Sequence, residues 1–186
     1  MATTAAGTPY VESSDLVANY PGVSLSLANH IDGLDGGKVL QVVSVTKVDT
    51  FTTASTSFVD VTGLTASITP ASTSSVILVL GKIGMNPRAN SGASTQLLRG
   101  ATVIGGGTAA GSRPSVMSSA FVNALYGTLD LSVNFLDSPV SAAALTYKMQ
   151  VRVVSGTLGI NTTGADGDNN LDGRTSSTLT LMEISA

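Results

Sequence analysis

Between Thr128 and Phe135, apolar and polar residues alternate without a break. Leu129, Leu131, Val133 and Phe135 fall on one side, and Thr128, Asp130, Ser132 and Asn134 on the other. Successive side chains of an extended chain point to opposite faces, so a period of two predicts a strand with one face buried. A helix with this order would scatter its apolar residues around the whole cylinder. The same alternation returns at Tyr147, Met149, Val151 and Val153, with Lys148, Gln150 and Arg152 opposite. A last strand, 177–185, places Thr178, Thr180, Met182 and Ile184 on one side.

Other segments read as β by composition rather than period. Residues 38–48 are rich in Val, Leu, Ser and Thr, and 58–61 and 64–69 look like two strand pieces hinged at Gly63. Val76 to Leu80 is a continuous apolar run, as expected of a strand buried on both faces. Gln96 to Arg99 and Thr102 to Ile104 flank Gly100 as a hairpin or bulge. Gly105 to Pro114 reads as a flexible loop. Roughly eight to ten strands divided by turn signals predict an all-β fold, a β-sandwich or jelly-roll-like domain over 37–186.

The first 36 residues differ. Residues 1–8 are small and polar and read as flexible. Ser13 or Ser14 is placed to cap a short helix through Asp15 to Ala18, Tyr20-Pro21-Gly22 breaks it, and Val23, Leu27 and Ile31 share one face of a second helical turn. Two helices this short need a surface to dock on. Residues 1–36 are therefore expected to form a partly helical attachment segment.

Composition narrows the function. Charged residues make up 11% of the 186-residue chain, against about 25% in ordinary soluble domains. Ser and Thr supply about a quarter of it, enough to solvate a strand face without charge. Strands this neutral lack the lysines that keep exposed edges apart, so partner subunits are expected to cover them. The net charge is −3 with the basic residues spread along the chain, which argues against nucleic-acid binding. There are no cysteines, so disulfides, thiol nucleophiles and Cys-based zinc sites are excluded. No apolar run approaches the roughly 20 residues of a membrane span. The N-terminus has neither the basic start nor the apolar core of a signal peptide, so assembly in a host cytoplasm is expected.

No catalytic set emerges. Asp168-x-Asn170-x-Asp172-Gly173 matches the front half of a calcium loop, but Leu179 stands at the twelfth position and offers no oxygen. The segment from Asp166 to Asp172 reads better as an Asx-rich turn bonded to its own backbone and tied to Arg174, with a weak oxygen-ligated cation as the alternative. His30 is the single histidine, no Gly-x-Ser-x-Gly elbow surrounds a serine, and a packing or surface role fits it best. Gly105-Gly106-Gly107 lacks the Gly-Lys-Ser or Gly-Lys-Thr of a phosphate loop. Asn161-Thr162-Thr163 is a glycosylation sequon by rule, short enough to arise by chance in a Thr-rich chain. The two glutamates, Glu12 and Glu183, and aspartates clustered in turns do not form the carboxylate pair of a glycosidase. The chain is expected not to be an enzyme, and no catalytic, cofactor or metal residue is assigned.

Several stretches carry a family likeness: Gly37-Lys38-Val39-Leu40-Gln41-Val42-Val43, Thr56 to Leu64, Leu98-Arg99-Gly100, Leu136-Asp137-Ser138-Pro139, Thr146-Tyr147-Lys148 and above all Asp172 to Ile184. Together they resemble a β-sandwich module of virion structural and tail-fibre proteins of tailed bacteriophages, especially those of marine bacteria and cyanobacteria. Tyr10-Val11-Glu12 to Asn29-His30-Ile31-Asp32 is similar to the attachment stretch at the N-terminus of phage fibre proteins. The resemblance implies a trimeric, jelly-roll-like module on a virion, anchored to other virion proteins through residues 9–35. It also implies adhesion to the host surface, with loops 86–94, 105–114 and 161–175 facing outward toward host glycans. No shaft separates anchor from sandwich, so a short tail appendage is implied rather than a long fibre. A head-decoration protein and a carbohydrate-binding module are the alternatives, the second disfavoured by the absence of Trp and the four Tyr and four Phe.

Overall fold

A computed structural model of the protein describes residues 2–3, 9–10, 24–27, 37–88, 90–122 and 126–185. The strands are β1 (Ala2–Thr3), β2 (Pro9–Tyr10), β3 (Val39–Lys47), β4 (Phe51–Thr53), β5 (Val59–Ile68), β6 (Val76–Pro87) and β7 (Ser91–Arg99). They continue with β8 (Thr102–Ile104), β9 (Ser118–Val122), β10 (Leu129–Asp137), β11 (Leu145–Val153), β12 (Leu158–Ile160) and β13 (Ser177–Ile184). All pairings are antiparallel.

Two sheets face each other. The first is six-stranded: β6 pairs with β10 along one edge and with β13 and then β12 along the other, and these pair in turn with β3 and β4. The second is five-stranded, running β5, β11, β7, with β8 and β9 sharing the far edge of β7. The all-β sandwich expected of the sequence is the fold observed.

Alternation decides what lies between the sheets. Tyr147, Met149, Val151 and Val153 are all 0% exposed, and from the facing sheet Val79, Ile83, Leu179 and Leu181 meet them with no exposure either. The final strand thus buries Leu179, Leu181 and Glu183, while Thr178, Thr180, Met182 and Ile184 face away from the core. Gly81 lets the sheets close: a Cβ there would lie 3.2 Å from Val133 Cβ and 3.4 Å from Met149 Sδ.

Several expectations need correction. Residues 59–68 form one strand, β5, but its pairing with β11 runs in two registers, 59–60 and 65–68, and Gly63, with φ +84°, lies in the irregular stretch between them, where the sequence placed the hinge. Two steps along β11 span five along β5, and the left-handed glycine helps the longer segment bulge out. The Val76 to Leu80 run is not buried on both faces. Ile77 and Val79 point inward, whereas Val76, Leu78 and Leu80 are half-buried on the outer surface. The 86–94 loop is largely strand, since Asn86 and Ser91 are buried within β6 and β7. Of 161–175, residues 161–164 are buried and the rest is a surface loop. Gly105 is held in place: its φ is +66° and a Cβ would collide with Met117 and the Phe135 ring. At the N-terminus, Ala2–Thr3 pairs with Pro9–Tyr10 where a flexible tail was expected. Residues 24–27 form one helical turn. The remaining expectations for the first 36 residues, including the Ser13 or Ser14 cap and His30, lie outside the described residues.

A buried acid staples one end of the sandwich. Glu183 is 0% exposed. Its carboxylate accepts from Gln41 Nε2 at 2.6 Å and from the Ala71 N–H at 2.7 Å, while Gln41 also donates to Thr69 O at 2.7 Å. Burial works to raise the Glu183 pKa, but the donated hydrogen bonds outweigh it and hold the carboxyl below its ordinary value. The native state then binds fewer protons than the unfolded chain in acid. Its stabilisation is full above about pH 5 and is lost as pH falls through the carboxylate range. Urea midpoints taken from pH 7 to pH 3 should therefore fall more steeply for the wild type than for Glu183→Gln. Parallel slopes would show that Glu183 contributes no such linkage.

Candidate functional site

The surface feature that stands out is the outer face of the six-stranded sheet. Met182 lies opposite Val42 on one side and Leu78 on the other, and Leu78 lies opposite Leu136. Four large apolar side chains therefore form one row across four strands. Val42 is 54% exposed and Leu136 55%. Toward the same end of the sheet, Ile184 sits between Val39 and Val76, with Leu40 beside them, and Val39 and Leu40 are exposed as well.

The polarity of this face changes along the strands. The next row is Ser44, Thr180, Leu80 and Asn134, with the Ser44 and Thr180 hydroxyls 2.8 Å apart. Beyond it come Thr46, Thr178, Lys82 and Ser132, and Lys82 Nζ pairs with Asp130 at 3.0 Å. Within these paired rows, the charged side chain is Lys82, at the polar end. Isolated exposed apolar residues are ordinary, but a contiguous apolar row on a sheet face marks an interaction surface. In the N-terminal helical turn, Leu25 is 63% exposed and Leu27 36%, so this turn also presents uncovered apolar surface.

The segments weighed as chemical sites are engaged within the chain. Asp172 accepts hydrogen bonds from the Thr163 hydroxyl, Asn169 Nδ2 and the Gly167 N–H. Those donors, Thr163 first, hold its carboxyl below the usual range. Asp166 pairs with Arg174 at 2.7 Å and faces Arg88 at 3.8 Å. Asn169 Oδ1 accepts from the Leu171 N–H. These contacts match the Asx-rich turn tied to Arg174. Among the described residues no cluster of three His, Cys, Asp or Glu stands close enough to hold a metal, and no helix is long and apolar enough to cross a membrane.

Asn161 is a structural node rather than an acceptor for sugar. It is 0% exposed with φ +58°, a conformation Asn tolerates better than most residues. Its Nδ2 donates to Lys47 O and Asp49 O at 2.9 and 3.0 Å, and its Oδ1 accepts from Ser177 Oγ at 2.7 Å. It ties the ends of β3, β12 and β13 together.

A second surface takes in Arg113 and Pro114 of the 105–114 loop, expected to face outward, together with residues of β7, β9 and β11 that were not foreseen. On the outer face of the five-stranded sheet, a groove of about 490 Å³ runs between β11 and β9 over a floor of small residues in β7. Arg113 and Arg152 both line it. They are far apart in sequence, and nothing in the local pattern of either marks the groove.

No protein-family model matches the sequence, and no curated protein matches it. Among solved structures the chain is similar to that of the T13 infectious bursal disease virus particle, with 15% identity, a TM-score of 0.38, and coverage of 81% of this chain and 36% of that one. The VP2 subviral particle of the same virus gives 14% identity and a TM-score of 0.33 over 78% of this chain and 37% of that one. Its Gx strain gives 15% and 0.34 over the same shares. This chain thus spans little more than a third of the length of those chains. Likenesses this loose say nothing of activity or partners.

Proposed function

We propose that this chain is a non-enzymatic structural subunit of a virion, a short tail fibre or tail appendage. Residues 1–36 attach it to other virion proteins, and the 37–186 sandwich packs against further copies, as a trimer, and contributes to adhesion at the host surface. The observation that carries this reading is the Val42, Met182, Leu78 and Leu136 row, an apolar band that a second copy can bury and that nothing among the described residues covers. The resemblance of 37–43 and 172–184 to phage virion modules supports the setting. The exposed leucines of the 24–27 turn suit the attachment role. Linked copies turn weak individual contacts into firm adhesion, because each later contact forms at a high effective concentration.

Immunogold labelling of intact particles with antibody to the sandwich tests the location, and a chain lacking residues 1–35 tests the anchor. Gold at the tail is expected, and the truncated chain should form trimers but fail to join particles. Gold distributed over the head would replace the appendage by a head-decoration protein. A truncated chain that still decorates particles would refute the anchor.

A further inference from the structure

The chain has nine basic residues, and their partners are unevenly distributed. Lys47, Lys82, Arg88, Arg99, Lys148 and Arg174 each face an aspartate, and Lys38 is engaged elsewhere. The two that pair with no carboxylate among the described residues are Arg113 and Arg152, and both line the groove on the five-stranded sheet. In a chain of net charge −3, this leaves a local concentration of uncompensated positive charge.

The register builds the groove. Arg152 lies opposite Ser94, and Ser94 opposite Ser119. The next row sets Gly92 opposite Phe121. Small side chains form the floor: a Cβ on Gly92 would come within 3.2 Å of Val154 Cγ2. Arg152 is held in position, with its Cζ 5.4 Å from the Phe58 ring centroid and its buried Nε without a hydrogen-bond partner among the described residues. Asp60, on the strand beside β11, is already taken by Lys148 and Gln150 at 2.8 Å each. Arg113 Nε is fixed by Ala110 O at 3.1 Å. Phe121, across the floor, is 66% exposed.

We propose that this groove binds a carboxylated saccharide, the carboxylate held by Arg113 and Arg152 and a sugar ring laid against Phe121. A guanidinium presents a planar fork that matches a carboxylate. An exposed aromatic ring offers an apolar face to the C–H side of a pyranose, and Ser94 and Ser119 bring hydroxyls to the floor. An extended peptide is disfavoured, because β7 is paired along both edges and offers no free strand edge to augment. Two cations are too few for a nucleic-acid backbone. The inference rests on the adhesive role proposed above and names its ligand class.

Titration calorimetry of the full-length chain with a galacturonate hexamer tests this, with the neutral glucose hexamer and polyglutamate as comparisons. The galacturonate should bind, the glucose hexamer should not, and Arg152→Gln or Arg113→Ala should each weaken binding about tenfold. Arg113 lies on an exposed loop, so its variant tests the groove even if Arg152→Gln lowers the melting temperature. Absent galacturonate binding, or binding by both variants as tight as by the wild type, overturns the proposal. Preference for polyglutamate replaces the saccharide by an acidic polypeptide and overturns it too. Particles separate this failure from that of the broader reading: a chain present on virions but blind to galacturonate loses only this ligand, whereas a chain absent from virions loses the adhesive role itself.

Discussion

Replacing Asp137 by alanine should destabilise the fold by about 3 kcal/mol. Asp137 is 6% exposed and closes one end of β10. Its carboxylate accepts from Arg99 Nη1 at 2.7 Å and from the Tyr147 hydroxyl at 2.6 Å. Tyr147 is 0% exposed. Burial, reinforced by the Asp137 carboxylate, pushes its phenol well above the ordinary value, so it stays a neutral donor. Without Asp137 that hydroxyl has lost its acceptor inside the core, and the guanidinium has lost its counterion. Arg99 keeps 27% of its side-chain exposure, so water relieves part of the cost and the upper end of the range for a buried pair is not reached. Tyr147→Phe should cost only about 1 kcal/mol, because Asp137 retains Arg99. Adding Tyr147→Phe to Asp137→Ala should then recover part of the loss, since it removes the orphaned donor. Urea denaturation of the three variants measures this. If Asp137→Ala costs no more than Tyr147→Phe, the site is not the buried junction described.

The second large effect concerns association. Val42→Glu with Leu136→Glu should weaken self-association by roughly a thousandfold, about 2 kcal/mol for each buried charge. Both side chains are more than half exposed, so the monomer should melt within about 0.5 kcal/mol of the wild type. Thr46→Glu, at the polar end of the same face, should leave association nearly unchanged. Sedimentation velocity with melting curves as a control separates the two regions. If the double variant associates as the wild type does, another surface joins the copies.

Much of the strand framework was legible because alternation is local. In 131–135 and 147–153 the side that carries Leu131, Val133, Phe135 and Tyr147 to Val153 is buried or half-buried, whereas Leu129, at the strand's start on the same side, is exposed. The hairpin at Gly100 was legible for the same reason, since Arg99 opposite Thr102 requires a two-residue turn, and Gly100 adopts φ +60°. Strands β4 and β12 were missed because three residues cannot display a period. In β9 the inward positions are held by Ser118 and Ala120 as well as Val122, too weak a contrast to register. Asn161 carries a sequon that chance explains in a Thr-rich chain, and its structural role was not legible because its burial depends on β3 and β13 arriving from opposite ends of the chain.

The amino-acid order alone determined that this chain makes antiparallel β structure, that its surface is poor in charge, and that it carries no thiol chemistry. Those properties live in single residues or in neighbours two apart. Which apolar residues stay outside was decided only by tertiary pairing. Val42, Leu78, Leu136 and Met182 form a row because three separate registers align them, and Arg113 and Arg152 line one groove because β7 carries β9 and β11 on its two sides. Alternation says which side chains share a face of one strand. In β3, β6 and β13, where both faces carry apolar residues, only the packing of two sheets says which face becomes core.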